Sequence, residues 1–173
     1  GMGLILCQWA KKLGATIVGT VSTEAKAEIA KQFGCDYPIV RSKESFVKKV
    51  LEVTDNEGAA VVYESIGKDT IDDSLDCLRL MGTCAAYGHV SGPPRQIDII
   101  QDLGKKGSLF ITRPAIMHYV AKRSDLEWTA NDLFSAIRKG TISANINHQF
   151  SLKDAVSAHE LIESGSNTGA IVL

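Results

Sequence analysis

Several classes of protein are excluded by what this 173-residue sequence has little of. Aromatic residues make up only 6% of it, and its four cysteines, Cys7, Cys35, Cys77 and Cys84, are scattered and never form a C-x-x-C pair. A structural zinc site or redox dithiol therefore has no support, and buried, reduced thiols acting as small hydrophobes are the expectation. No charge sign dominates: 19 Lys and Arg face 20 Asp and Glu, for a formal charge of −1. That balance argues against a nucleic-acid binder and against a basic membrane-surface protein. No apolar run approaches the roughly 18 residues of a membrane span, and the start has no signal-peptide pattern. A soluble, cytoplasmic protein is the expectation. There is no G-x-S-x-G elbow, P-loop lysine, internal repeat or low-complexity tract, which removes the common hydrolases and NTPases.

What is present is material for a core, since 45% of the residues are hydrophobic and a chain near this length can bury about two thirds of the surface its unfolded form exposes. Helical spacing over Leu4 to Leu13 ends at Gly14, a natural helix stop. The β-branched run Thr16 to Val21 follows, with Ser22 and Thr23 opening a helix from Glu24 to Phe33 that stops at Gly34. A strand over Pro38 to Val40 precedes an amphipathic segment, Glu44 to Thr54. The apolar run Ala59 to Tyr63 suits a parallel strand covered on both faces. A helix is expected over Thr70 to Leu80, then strands over Thr83 to Tyr87 and Ser108 to Thr112, separated by the irregular Ser91-Gly92-Pro93-Pro94-Arg95. A helix over Ser124 to Lys139 carries a capping box, Ser124 with Glu127.

Strands alternating with helices predict an α/β fold with a doubly wound parallel sheet of the Rossmann type. The tail, with Asn145 to Phe150, a helix over Leu152 to Glu163 and Ala170 to Leu173, is a small β-α-β piece that need not join the main sheet. The chain opens on a glycine turn and helix with no strand before it and closes in mid-strand. It is therefore expected to be an N-terminally shortened domain, either a fragment of a longer protein or a chain with an added Gly-Met start. The expected division is 1–143 for the main domain and 144–173 for the separate segment.

Gly1-Met2-Gly3 ahead of an apolar helix has the form of the end of a glycine-rich dinucleotide loop, where the backbone must approach a pyrophosphate and helix N–H groups stabilise its charge. An ordinary helix entry has the same look. After the Thr16 to Val21 strand, a free ribose 2′-hydroxyl usually meets an acid, but Ser22 stands there instead. Lys26 and Arg41 offer the positive charge and forked donors suited to a 2′-phosphate. NADP(H) thus fits better than NAD(H), although Lys26 by itself is more simply a solvated surface lysine. Ser65-Ile66-Gly67, Tyr87-Gly88-His89 and Thr112-Arg113-Pro114 add small or polar residues at strand ends, where ligands bind in open parallel sheets and where ordinary turns also lie.

The stretches GLILCQWAKKLGATIVGTVSTEAK, VVYESIGKDTIDDSLDCLR, SGPP, GSLFITRP and SLKDAVSAHELIESGSNTGAIVL, in this order, resemble the zeta-crystallin-like quinone oxidoreductase branch of the zinc-independent medium-chain dehydrogenases. The resemblance spans essentially the whole chain. It implies a two-domain, homodimeric enzyme passing hydride from NADPH to a quinone or another α,β-unsaturated carbonyl. The chain would supply the cofactor domain, and its C-terminal segment would return to an absent GroES-like domain. By the same resemblance Gly1, Met2 and Gly3 match the end of the phosphate loop. Ser22, Lys26 and Arg41 serve the 2′-phosphate, with Arg41 where relatives often have tyrosine. Ser65 and Gly67 match a D-S-V-G turn in which Glu64 replaces the aspartate. Tyr87, Gly88 and His89 match F-G-N on the nicotinamide side. Phe110, Ile111 and Thr112 form the strand whose end lies by the nicotinamide and whose edge meets a partner subunit. No catalytic residue is assigned, because the cofactor carries the hydride and the substrate-facing groups lie in the other domain.

Two other readings compete: a nucleotide-binding or self-associating module without turnover, and part of an enoyl-thioester reductase. His89, His118, His148 and His159 have no metal-ligand spacing, and His159 is expected to be a hydrogen-bonded packing residue. Asp69, Asp72 and Asp73 open a helix, where Thr70 and Asp73 would cap it and the acids suit its dipole.

Overall fold

The computed structural model describes residues 1–173. The chain divides into two compact units, Gly1–Lys43 with Ala130–Leu173, and Glu44–Thr129. Every strand pairing in both is parallel, as alternation of strand and helix predicts.

In the first unit, α1 (Met2–Lys12), β1 (Val18–Val21), α2 (Glu24–Gln32) and β2 (Tyr37–Val40) follow one another. Both helices end as their glycines predict. The N–H of Gly14 reaches the carbonyl of Lys11 and that of Ala15 the carbonyl of Ala10; Gly34 and Cys35 repeat this on Lys31 and Ala30. These are Schellman closures, which need a left-handed residue, and Gly14 and Gly34 have φ of +83° and +95°. The Thr23 hydroxyl accepts from the Lys26 N–H and caps α2. Cys7, Ala30 and Cys35 pack together with Ile17 and Val21 alongside. The tail forms β6 (Ile146–Gln149), a 3₁₀ turn at Leu152–Asp154, α7 (Ala155–Glu163) and β7 (Ala170–Val172), with β6 and β7 in a separate two-stranded sheet.

The second unit contains α3 (Phe46–Val53), β3 (Ala59–Glu64), α4 (Ile71–Asp76), β4 (Leu78–Ala86), a π-helical segment at Ile99–Gly104, β5 (Phe110–Thr112) and the short α5 (Ile116–Tyr119). Its sheet has the order β3-β4-β5. Ile71, Leu75, Leu78, Cys84, Ala86 and Leu109 form its core, and full burial of side chains such as Ile71 or Leu75 stabilises by about 1.5–3 kcal/mol each. The helix α6 covers Arg123–Arg138. No helix of the chain is long and apolar enough to cross a membrane.

Five sequence expectations are corrected. The helix expected to reach Leu80 stops at Asp76, because Leu78 pairs with Ala59 and starts β4 there. The pairing then jumps to Val61 with Thr83, and the extra residues push Leu80 and Met81 into solvent. β3 is not covered on both faces: Glu64 is buried, whereas Val61 and Tyr63 are exposed. Thr70 makes no cap, since its hydroxyl donates instead to Glu64. The Ser124 capping box does not form. The helix α6 already begins at Arg123, which holds Glu127 at 2.6 Å. His159 is exposed and has no packing role. The π-helical segment and α5 lie where no element was expected, whereas the four cysteines are free and buried as expected.

Candidate functional site

The carboxyl ends of the strands carry most of the candidate residues, in one group per unit. In the first unit β1 and β2 run in register to Val21 opposite Val40. Ser22 and Arg41 are therefore the first residues beyond two neighbouring strands, joined where the Arg41 N–H donates to the Val21 carbonyl at 3.1 Å. Both side chains are exposed and neither has a hydrogen-bond or ionic partner. Lys26 stands in the first turn of α2, where the Thr23 cap fixes the backbone. Its Nζ donates to the Gly165 carbonyl at 2.5 Å, which ties it to the turn after α7. The two bases thus share the carboxyl end of one sheet, with Lys26 engaged and Arg41 free. Glu24, the acid nearest Ser22 in sequence, is held by Lys43 at 2.5 Å.

Gly1, Met2 and Gly3 open α1. Gly1 is its N-cap, and no side chain caps the N-terminal N–H groups. A Cβ on Gly1 or Gly3 would meet no atom of this chain within 4 Å. A separate open depression of about 540 Å³ lies over the opposite ends of α1 and α2, bordered by Gln8, Lys11, Lys12, Phe33, Gly34 and Ser143. None of the candidate residues borders it.

In the second unit the loops that leave β3 and β4 are joined by backbone hydrogen bonds. The N–H groups of Tyr87 and Gly88 reach the Glu64 carbonyl, Val90 reaches Ser65 at 3.2 Å, Ser91 reaches Ile66 at 2.8 Å and Lys68 reaches Gly92 at 3.0 Å. The Ser91 hydroxyl donates to the Ile66 carbonyl and accepts from the Asp69 N–H. This single platform brings together Ser65, Gly67, Tyr87, Gly88 and His89. Close contact makes glycine necessary at two points. Gly67 has φ +93° with a carbonyl oxygen of Gly92 against it, and a Cβ on Gly88 would fall 2.6 Å from the Ser65 carbonyl oxygen. The side chains of Ser65, Tyr87 and His89 have no hydrogen-bond partners.

β5 pairs with β4 through Thr83–Phe110, Cys84–Ile111 and Ala85–Thr112. Ile111 packs on the core, whereas Phe110 and Thr112 are exposed. Ile111 therefore contributes its backbone and its packing, not a side chain turned outward.

The residue that sequence reasoning undervalued is Glu64, which entered only as a replacement for an aspartate. It is 4% exposed, and its carboxylate accepts from the N–H groups of Ile66 at 2.5 Å and Gly67 at 3.1 Å. It also accepts from the Thr70 hydroxyl at 3.0 Å and from the Ser74 hydroxyl. The signal available was the spacing of Thr70 and Ser74, one helical turn apart and after a buried-strand acid. A second fixed cluster lies farther along, where Arg95 bridges Asp72 and Asp102. It holds the Asp102 carboxyl well below the usual carboxylate range, first through the Arg95 guanidinium and then through the Asp98 N–H. No three His, Cys, Asp or Glu side chains of this chain come together as a group that could hold a metal ion.

Residues 1–128 match the zinc-binding dehydrogenase family. The whole chain is 48% identical to 52% of the length of a 2-haloacrylate reductase from a Burkholderia species, and 42% identical to 53% of a quinone oxidoreductase from Salmonella typhimurium. The crystal structure of Escherichia coli quinone oxidoreductase complexed with NADPH superposes on the chain with a TM-score of 0.93 at 39% identity, covering 100% of this chain and 54% of that one. The chain spans about half the length of the relatives it matches. On the family match across most of its residues, the chain belongs to the zinc-binding, medium-chain dehydrogenase family, where it is similar to the quinone oxidoreductases.

Proposed function

We propose that the chain is the cofactor-binding part of an NADPH-dependent reductase of quinones or other α,β-unsaturated acceptors. One observation carries this reading: a neutral Ser22 and an unpartnered Arg41 stand side by side beyond two strands in register, with Lys26 at the same end. An exposed guanidinium with no acid to satisfy it, beside a hydroxyl where a 2′-hydroxyl cofactor would meet an acid, suits a phosphate monoester. The NADPH complex of the Escherichia coli relative supports the same cofactor.

When bound, NADPH supplies the hydride, and the residues of this chain bind and orient it. Ser22, Lys26 and Arg41 would take the 2′-phosphate. Gly1, Met2 and Gly3, at the start of α1, would offer N–H groups to the pyrophosphate. Ser65, Gly67, Tyr87, Gly88, His89, Phe110, Ile111 and Thr112 would serve the nicotinamide side, with the free side chains of Ser65 and His89 as its polar contacts. No residue here is assigned to proton transfer, and no step passes through a metal. We assign residues 1–143 to cofactor binding and 144–173 to a segment belonging with a second domain. A homodimer joined through the outer edge of β5 is supported by its place as an edge strand. A cytoplasmic location completes the proposal.

The test is a fluorescence titration of the purified chain with NADPH and NADH, repeated for Arg41→Ala. Tighter binding of NADPH, weakened by about tenfold in the variant while NADH is unmoved, is expected of an exposed charge-assisted contact. Equal affinities that Arg41→Ala leaves unchanged would overturn the assignment.

A further inference from the structure

We infer that Glu64 is a positioning residue: its buried carboxylate holds the Ser65-Ile66-Gly67 turn in the shape that presents Ser65 to the nicotinamide half of the cofactor. The inference rests on the proposed reading of the second unit's loops as the nicotinamide side. The geometry is specific. Two consecutive N–H groups, Ile66 and Gly67, both donate to Oε1 of Glu64, so they point into the protein and do not serve as an anion cradle. The Thr70 and Ser74 hydroxyls fix the carboxylate from the α4 side, which leaves it little freedom to turn. The carbonyls of the same turn are taken up by Val90 and Ser91. With the turn's backbone largely committed inward or sideways, the Ser65 hydroxyl is its free polar group. A ligand meeting this loop is therefore met by Ser65, and the orientation of Ser65 depends on the carboxylate beneath it.

Glutamine can replace glutamate here without changing the turn. Its Oε1 accepts both N–H groups, and its Nε2 donates to the two hydroxyls, which rotate to accept. Methionine keeps the volume but leaves two buried N–H donors unmade, and the turn must open to satisfy them. The experiment measures the affinity of the chain and of Glu64→Met and Glu64→Gln for NADPH and for adenosine 2′,5′-bisphosphate, which lacks the nicotinamide half. Glu64→Met is expected to weaken NADPH by about tenfold and to leave adenosine 2′,5′-bisphosphate within about twofold; Glu64→Gln is expected to leave both unchanged. A general loss of structure would weaken both ligands together, and that result, or an unaltered NADPH affinity in Glu64→Met, overturns the inference. Hydrogen exchange on the unsubstituted chain adds a check independent of any variant. The Ile66 and Gly67 amides are expected to be protected before cofactor is added, and rapid exchange at both overturns the inference. If the unsubstituted chain binds neither ligand, the cofactor reading itself fails, a result distinct from either of these.

Discussion

Replacing Gly67 by alanine tests whether the two loops of the second unit form one interlocked platform. Gly67 has φ +93°, a conformation that costs an L-residue roughly 1–2 kcal/mol. The added Cβ would press on the Gly92 carbonyl oxygen and come within 3.0 Å of His89 Cα and 3.1 Å of its Cβ. These are backbone and near-backbone atoms, so the loop from Gly88 to Gly92 has to move. The movement strains the Lys68 to Gly92 and Ser91 to Ile66 bonds of 3.0 and 2.8 Å, each worth about 0.5–1.5 kcal/mol net. Gly92 is the natural control. Its φ is +111°, and a Cβ there would meet only Lys68 Cβ, at 4.0 Å. Gly92→Ala thus carries the conformational cost without the collision. Gly67→Ala should be less stable than Gly92→Ala by about 1–3 kcal/mol, the sum of the two strained bonds. At about 2–4 °C per kcal/mol for a chain of this length, that is a gap of roughly 2–12 °C in Tm. Urea and thermal unfolding by circular dichroism would measure it, with NADPH titration of the folded fraction alongside. Equal destabilisation by the two substitutions would show that the loops are not in contact and would refute the reasoning.

Other outcomes follow from single residues. Ser22→Asp places a carboxylate where a phosphate dianion is proposed. It should weaken NADPH by about tenfold or more through like-charge repulsion and improve NADH, which titration with both cofactors would check. The Cys77 thiol is pushed up to about 12 by burial and by Asp73 and Asp76, and Cys84 to about 11 by burial and Glu64. Neither should react with iodoacetamide at pH 8 in the folded chain, and both should react in urea, as read by mass spectrometry. Asp102 is held below its unfolded pKa of about 3.9 by Arg95 and the Asp98 N–H. The stability it contributes is therefore full above that value and is lost as pH falls through the lower, folded value. Asp102→Asn should lower the urea midpoint at neutral pH and flatten its fall below about pH 4.

Much of the first unit was legible because its signals are local. Gly14 and Gly34 end helices through bonds that close within a few residues, and the Thr23 cap lies beside the helix it starts. The places of Ser22 and Arg41 were legible for a related reason, since each follows a β-branched run that forms a strand. The end of α4 was not legible. Nothing in Asp76-Cys77-Leu78 stops a helix, and β4 begins there because Leu78 finds Ala59 nineteen positions away in sequence. The capping box at Ser124 does not form because the helix already begins at Arg123, which puts Ser124 inside its first turn. Glu64 was visible only as an unusual acid in an apolar strand. Its role depends on the turn after it and on two hydroxyls of the following helix, a combination that no single periodicity contains. The exposure of Val61 and Tyr63 is a fact of tertiary packing absent from the run of residues.

The most direct measurement is an amide chemical-shift map of the isotope-labelled chain as NADPH is added. Shifts should concentrate at Ser22, Lys26 and Arg41 in the first unit and at Ser65, Gly67, Gly88 and His89 in the second, and NADH should leave the first group nearly still. Shifts confined to the depression beside Lys11, Lys12 and Gly34, or a map identical for the two cofactors, would contradict the account.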